Sequence, residues 1–117
     1  MRKIYYLATC STCIRIIKEL DITPSNFEMQ DIKTQAMTAD QVDEMKALSG
    51  SYESLFSRRA MKYKSMGLAN QNLTEADYKR LIIEEYTFLK RPVFIINDEI
   101  FIGNSKKIVE AVKQKIS

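Results

Sequence analysis

Lys3-Ile4-Tyr5-Tyr6-Leu7-Ala8-Thr9-Cys10-Ser11-Thr12-Cys13 is the stretch on which the fold turns. Its first half, Lys3 to Leu7, is β-branched and aromatic and reads as a buried strand. Its second half opens a helix. Thr9 or Ser11 is placed to cap it, Ile14, Ile17 and Leu20 recur at helical spacing with Ile16 flanking them, and Pro24 blocks continuation beyond Asp21-Ile22-Thr23. From Asn26 to Asp31, Phe27 and Met29 alternate with Glu28 and Gln30, the period of a short strand. A helix between two strands makes that strand pair parallel.

The two cysteines fall where the first strand hands over to the helix. At a helix start, unpaired backbone N–H groups and the positive end of the helix dipole favour an anion, and a thiolate is one. A free thiol, with a pKa of about 8.5, is only slightly ionised at neutral pH, whereas Cys-x-x-Cys motifs at helix N-termini commonly titrate near neutrality. Cys13 lies one turn deeper and beside Cys10. This suits a division of labour in which Cys10 attacks and Cys13 closes a disulfide. The hydroxyls of Thr9, Ser11 and Thr12 are candidate donors to a thiolate or a bound oxyanion. Two other readings stay open: a zinc site shared across a dimer, and a pair of inert buried cysteines.

Outward from this stretch the chain changes character. Thr38-Ala39-Asp40-Gln41 is a capping-box pattern that opens a helix carrying Val42, Met45 and Leu48 and ending at Gly50. A second helical piece is expected from Ser57 to Met66. Thr74 caps a third, with Tyr78, Leu81, Ile82 and Tyr86 facing inward. Residues 34–90 read as wholly helical. After Pro92, Val93 to Ile96 and Ile100 to Ile102 flank the turn Asn97-Asp98, a hairpin signal. Asn104 or Ser105 caps a last helix with Ile108, Val109, Val112 and Ile116. The order is β-α-β, a helical segment, then β-β-α. One four-stranded mixed sheet with helices on both faces buries the apolar sides of all these elements.

Composition narrows the function. The 117 residues, 45% of them apolar, suit one domain with a real core. There is no histidine, which removes Ser-His and Cys-His catalysis and most zinc enzymes. The net charge of +3 is spread along the chain, favouring anionic partners weakly and arguing against direct nucleic-acid binding. No apolar run approaches the roughly 20 residues that span a bilayer, and the apolar stretch near Met1 is short for a signal-peptide core. A monomeric cytoplasmic protein without membrane association is expected.

Two further groups of residues carry chemistry. Arg91-Pro92 leads into the strand Val93 to Ile96, and Ser57-Arg58-Arg59 sits in the helical segment, where paired arginines ordinarily form a solvated face.

Taken in order, Ala8-Thr9-Cys10, Phe56-Ser57-Arg58-Arg59-Ala60-Met61-Lys62-Tyr63, Arg91-Pro92-Val93 and Phe101-Ile102-Gly103-Asn104 resemble the arsenate reductase ArsC/Spx family over essentially the whole chain. The resemblance implies a thioredoxin-like fold, with the core in residues 1–33 and 91–117 and a helical insertion in residues 34–90. It implies that Cys10 is the nucleophile and Cys13 the resolving thiol, and that Pro92 follows a cis peptide bond beside the site. It also implies that Arg59 (with Arg58 close enough to leave the register open), Arg91 and Thr12 stabilise a thiolate or oxyanion. No resident cofactor or metal is implied. The substrate is a small oxyanion such as arsenate, or a disulfide, and the reductant is external: glutathione with glutaredoxin, or thioredoxin. Gly103 stands near a position where the reductases carry a third arginine, and Cys13 replaces a serine of their loop. The Cys-x-x-Cys pair is similar to that of Spx, a redox-sensing regulator that binds RNA polymerase, so an RNA polymerase subunit is the alternative partner.

Overall fold

In a computed structural model that describes all of residues 1–117, the chain forms one four-stranded sheet. The strands are β1 (Arg2–Tyr6), β2 (Glu28–Asp31), β3 (Val93–Ile96) and β4 (Glu99–Ile102). Their spatial order is β2-β1-β3-β4. β1 runs parallel to β2 and antiparallel to β3, and β3 and β4 form the hairpin expected around Asn97-Asp98. Asn97 takes a left-handed conformation there, at φ 54, which asparagine tolerates better than most residues. The register aligns Ile4 with Met29 on one side and with Phe94 on the other, and Phe94 with Phe101.

The chain divides into two compact units, residues 1–35 with 91–117, and residues 36–90. The first holds the sheet, α1 (Ser11–Glu19) and α5 (Lys106–Ile116). Ile16 and Leu20 of α1 and Val109 and Val112 of α5 join Ile4, Phe94 and Ile96 in one buried cluster. Alternation along the strands puts those three sheet residues on the same face, so both helices cover that face. On the other face Tyr5, Val93 and Ile95 are also buried, which makes β3 apolar throughout.

The second unit contains α2 (Ala39–Ser49), α3 (Met61–Ser65) and α4 (Glu75–Glu84), with single 3-10 turns at Glu53–Leu55, Leu68–Asn70 and Tyr86–Phe88. The capping box at Thr38 and Gln41 forms, and Thr74 forms a second one with Asp77. Gly50 ends α2 in the left-handed conformation, at φ 99. Two local expectations change. An isolated bridge pairs Phe56 with Leu89, with Ser57 N–H donating to the Phe88 carbonyl at 2.7 Å and Lys90 N–H to that of Leu55 at 2.8 Å. The stretch is therefore not wholly helical. The piece expected from Ser57 to Met66 shrinks to α3, because bridge pairing keeps the backbone at Phe56 extended and Ala60 is extended too. Arg58 and Arg59 thus lie in a turn ahead of the helix.

Candidate functional site

Cys10 is itself the N-cap of α1, in extended conformation at φ −91 and ψ 112. Neither Thr9 nor Ser11 takes that place. The Cys10 N–H donates to the Leu7 carbonyl at 3.0 Å, which pins the strand-to-helix corner, and the Cys10 carbonyl accepts the first helical bond from Ile14 at 3.1 Å. As a neutral thiol the sulfur makes no cap hydrogen bond. As a thiolate it has the place that a capping oxygen usually takes, within reach of the N–H groups of Thr12 and Cys13. No acidic residue in the first turn of α1 competes for that positive helix end.

Cys10 is half-buried and Cys13 fully buried, and no disulfide joins them. Their surroundings separate them. Burial, the largest influence on Cys10, works against ionisation. It is outweighed by the Cys13 N–H, the Cys13 thiol, the Thr12 N–H and the charge of Arg91, so the Cys10 thiol is held below its ordinary pKa. Burial dominates at Cys13 and, with the neighbouring Cys10 sulfur, pushes its thiol up to about 11, against the N–H of Leu7 and the charge of Arg91. Cys10 is thus the more readily ionised thiol of the pair, and Cys13 holds its proton beside it.

Arg91 precedes a cis peptide bond to Pro92, which is buried at the entrance to β3. The turn after β4 fastens this corner. Gly103 N–H donates to the Pro92 carbonyl at 2.9 Å, and Asn104 Nδ2 to that of Arg91 at 3.4 Å. Gly103 sits at φ 100, a conformation that side-chain-bearing residues rarely adopt, which accounts for a glycine at this turn. Cys10, Thr12, Cys13 and Arg91 are therefore one electrostatic cluster within the first unit. Thr12 contributes through its backbone N–H rather than its hydroxyl.

The two arginines of the second unit differ sharply. Arg58 Nη2 bonds Glu53 Oε2 at 2.7 Å and the Tyr78 hydroxyl at 3.0 Å, and its guanidinium lies 5.8 Å from the centre of the Tyr78 ring. Glu53, Tyr78 and Tyr63 raise its pKa. Arg59 is exposed and makes no hydrogen bond or ion pair. The turn that carries both rests on the ring cluster of Phe56, Tyr63, Tyr78 and Phe88. Lys62 pins α3 to Glu85 at 2.8 Å, and Glu85 also accepts from Thr87 Oγ1 at 2.8 Å.

Several of these partners escape sequence reading. The N–H groups of Leu7, Thr12 and Cys13 carry no residue signature, and of the two candidate caps of the last helix Ser105 does the capping while Asn104 holds the Arg91 carbonyl. The pairing of Arg58 with Glu53, five residues apart, fits neither helical nor strand spacing and had no local signal.

The model of the ArsC family matches residues 5–112. The sequence matches no curated protein. Among solved structures, an arsenate reductase from Vibrio cholerae is 16% identical with a TM-score of 0.72, the match covering 97% of this chain and 95% of that one. An arsenate reductase (ArsC) related protein from Brucella melitensis is 19% identical with a TM-score of 0.70, covering 94% and 92%. A protein from Staphylococcus aureus is 24% identical with a TM-score of 0.72, covering 95% and 97%. At these identities the structures share the fold. No helix is long and apolar enough to cross a membrane.

Proposed function

This chain belongs to the ArsC family, and on that premise we propose that it is a thiol oxidoreductase with Cys10 as nucleophile and Cys13 as resolving thiol. The observation that carries the reading is the opposite displacement of two adjacent thiols, Cys10 downward and Cys13 up to about 11. With a disulfide substrate, the Cys10 thiolate attacks one sulfur, the S–S bond breaks and the other half leaves as a thiolate. Cys13 then gives up its proton and attacks the Cys10 sulfur. The second half-substrate departs, and the protein is left with a Cys10–Cys13 disulfide. Two electrons have moved from protein to substrate. With arsenate the same sulfur attacks arsenic and hydroxide leaves as water; closure of the disulfide then releases the two-electron-reduced oxyanion. An external reductant, glutathione with glutaredoxin or thioredoxin, returns the electrons.

Arg91 supplies the fixed positive charge beside the thiolate. In the insertion, the commitment of Arg58 to Glu53 and Tyr78 favours Arg59 as the oxyanion-binding guanidinium. Thr12 supports the thiolate through its N–H, and Pro92 shapes the corner that presents Arg91. The test is a single-turnover reaction of the reduced protein with arsenate and with hydroxyethyl disulfide. Loss of two protein thiols per substrate is expected, with Cys10→Ser inert and Cys13→Ser arrested at the covalent Cys10 adduct, a mixed disulfide with hydroxyethyl disulfide and a sulfur–arsenic adduct with arsenate. Failure of both substrates to react rejects the enzyme.

The buried resolving thiol also favours a second reading, a Spx-like switch in which the Cys10–Cys13 disulfide governs binding to an RNA polymerase subunit. Binding that changes with redox state supports it, and no binding in either state rejects it.

A further inference from the structure

In the second unit, α3 is a helix without a buried side chain. It is held at its edges. Tyr63 turns its ring to Phe56, with 6.0 Å between ring centres, and Lys62 Nζ bonds Glu85. Short helices ordinarily owe their stability to an apolar face packed against the fold. Here the apolar side chains go the other way. Three large apolar side chains of the protein are well exposed, and two of them, Met61 at 89% and Met66 at 48%, stand at the two ends of this helix. Lone exposed apolar residues are ordinary, but a pair on one short element, rimmed by polar groups, marks a contact surface. Methionine is also the side chain that adapts most readily to a partner's shape.

The surroundings of the two methionines are cationic. From Ser57 to Gly67 the chain carries Arg58, Arg59, Lys62 and Lys64 and no carboxylate. Arg58 is neutralised by Glu53. Lys62 is paired with Glu85, but the lysine side chain is 58% exposed and the glutamate 18%, so the positive member of the pair faces out. Lys64 is exposed and has no ion pair. At helical spacing Lys64 and Ser65 share the face of Met61, opposite Tyr63. Arg59 is left to the oxyanion role given above. The face therefore consists of two soft apolar side chains set in positive charge.

We propose that α3 docks an acidic amphipathic helix of a partner protein, with the partner's apolar side chains against Met61 and Met66 and its carboxylates against Lys64 and Lys62. Five residues of helix rise about 7.5 Å, so the contact is small and belongs to the transient class. Complementary charge steers the encounter and selects the partner. A second copy of this chain is disfavoured, because an isologous contact sets the cationic face against itself. A nucleic-acid backbone pairs with the lysines but leaves both methionines in water. A lipid surface binds in proportion to the apolar area inserted, which two side chains keep small. The proposal does not rest on the reaction at Cys10.

Methyl NMR of the full chain labelled at its methionine ε-carbons tests this, because each of the six methionines reports separately. The probe is a designed helical peptide with leucine on one face and glutamate on the other. The same peptide with lysine for glutamate, a DNA duplex and phosphatidylserine vesicles are the comparisons. The glutamate peptide is expected to shift the Met61 and Met66 methyls saturably while the buried Met37 and Met45 stay in place. Lys64→Glu is expected to weaken its binding about three- to fivefold, the effect of an exposed ion pair. Met61→Gln should weaken it about five- to tenfold, as expected when about half of a methionine side chain is buried in the contact. Unmoved Met37 and Met45 signals in each variant show that its fold is intact, and the lysine peptide should bind Lys64→Glu more tightly than the unaltered protein. No shift with the glutamate peptide, equal binding of the two peptides, or unchanged affinity in both variants overturns the proposal. So does a larger shift with the duplex or the vesicles, or movement of these two methyls on dilution of the protein alone, which would place a second copy on the face.

Discussion

Cys10 and Cys13 are the same chemical group three residues apart, and only their surroundings tell them apart. A buried sulfur resists ionisation. Cys10 escapes this because it sits at the lip of α1, where N–H groups, the Cys13 thiol and Arg91 favour the anion. Replacing either side-chain contributor should therefore raise its pKa. Cys13→Ala is expected to shift the thiolate absorbance of Cys10 to higher pH, and Arg91→Gln to shift it in the same direction by less, because Arg91 is the weakest of the lowering influences. The position of Cys10 was legible in sequence, since a β-prone run meets a helical periodicity there. The donors were not, because backbone N–H groups belong to every residue and only the fold aims them. The same limit explains why Thr9 and Ser11 looked like caps while Cys10 holds that place.

At the scale of elements, the capping box at Thr38 and the Thr74 cap were readable because their signals lie within a few residues, whereas α1 ends at Glu19 through the left-handed turn at Asp21, before Pro24 is reached. The extent of α3 was not. Its expected start at Ser57 is overridden by pairing between Phe56 and Leu89, 33 positions away, which no local pattern announces. The resulting turn treats two adjacent arginines differently, and stability should report it. Arg58→Ala is expected to cost on the order of 1 kcal/mol, through lost bonds to Glu53 and Tyr78 that are partly exposed. Arg59→Ala should change stability by less than about 0.5 kcal/mol. Urea unfolding of the two variants measures the difference, and equal losses would show that Arg59 also has a structural partner. Thr74→Ala, which removes an N-cap hydroxyl, is expected to cost about 1 kcal/mol in the same assay.

For the whole molecule, the parallel β1–β2 pair and the antiparallel β3–β4 pair followed from their connections: a helix in the first case, a two-residue turn in the second. The central β1–β3 pairing joins strands about 90 residues apart and had no local signal; burial on both faces of β3 is what favours its place beside β1. Phe94 stands at the middle of that pairing and in the cluster shared by α1 and α5. Phe94→Ala should cost roughly 3–5 kcal/mol. That is much of the roughly 5–15 kcal/mol that typically holds a domain together, so a large drop in thermal midpoint or failure to fold is expected. Because the same sheet carries β1 into Cys10 and Pro92 into β3, a weakened sheet should also move the Cys10 pKa toward that of a free thiol.

The most direct test of the account is the pH dependence of alkylation at each cysteine of the reduced protein, resolved by mass spectrometry. Cys10 is predicted to react with a midpoint below that of an ordinary thiol, while Cys13 stays unreactive until the pH approaches about 11. A Cys10 midpoint at or above that of a free thiol, or two cysteines that titrate together, would contradict it.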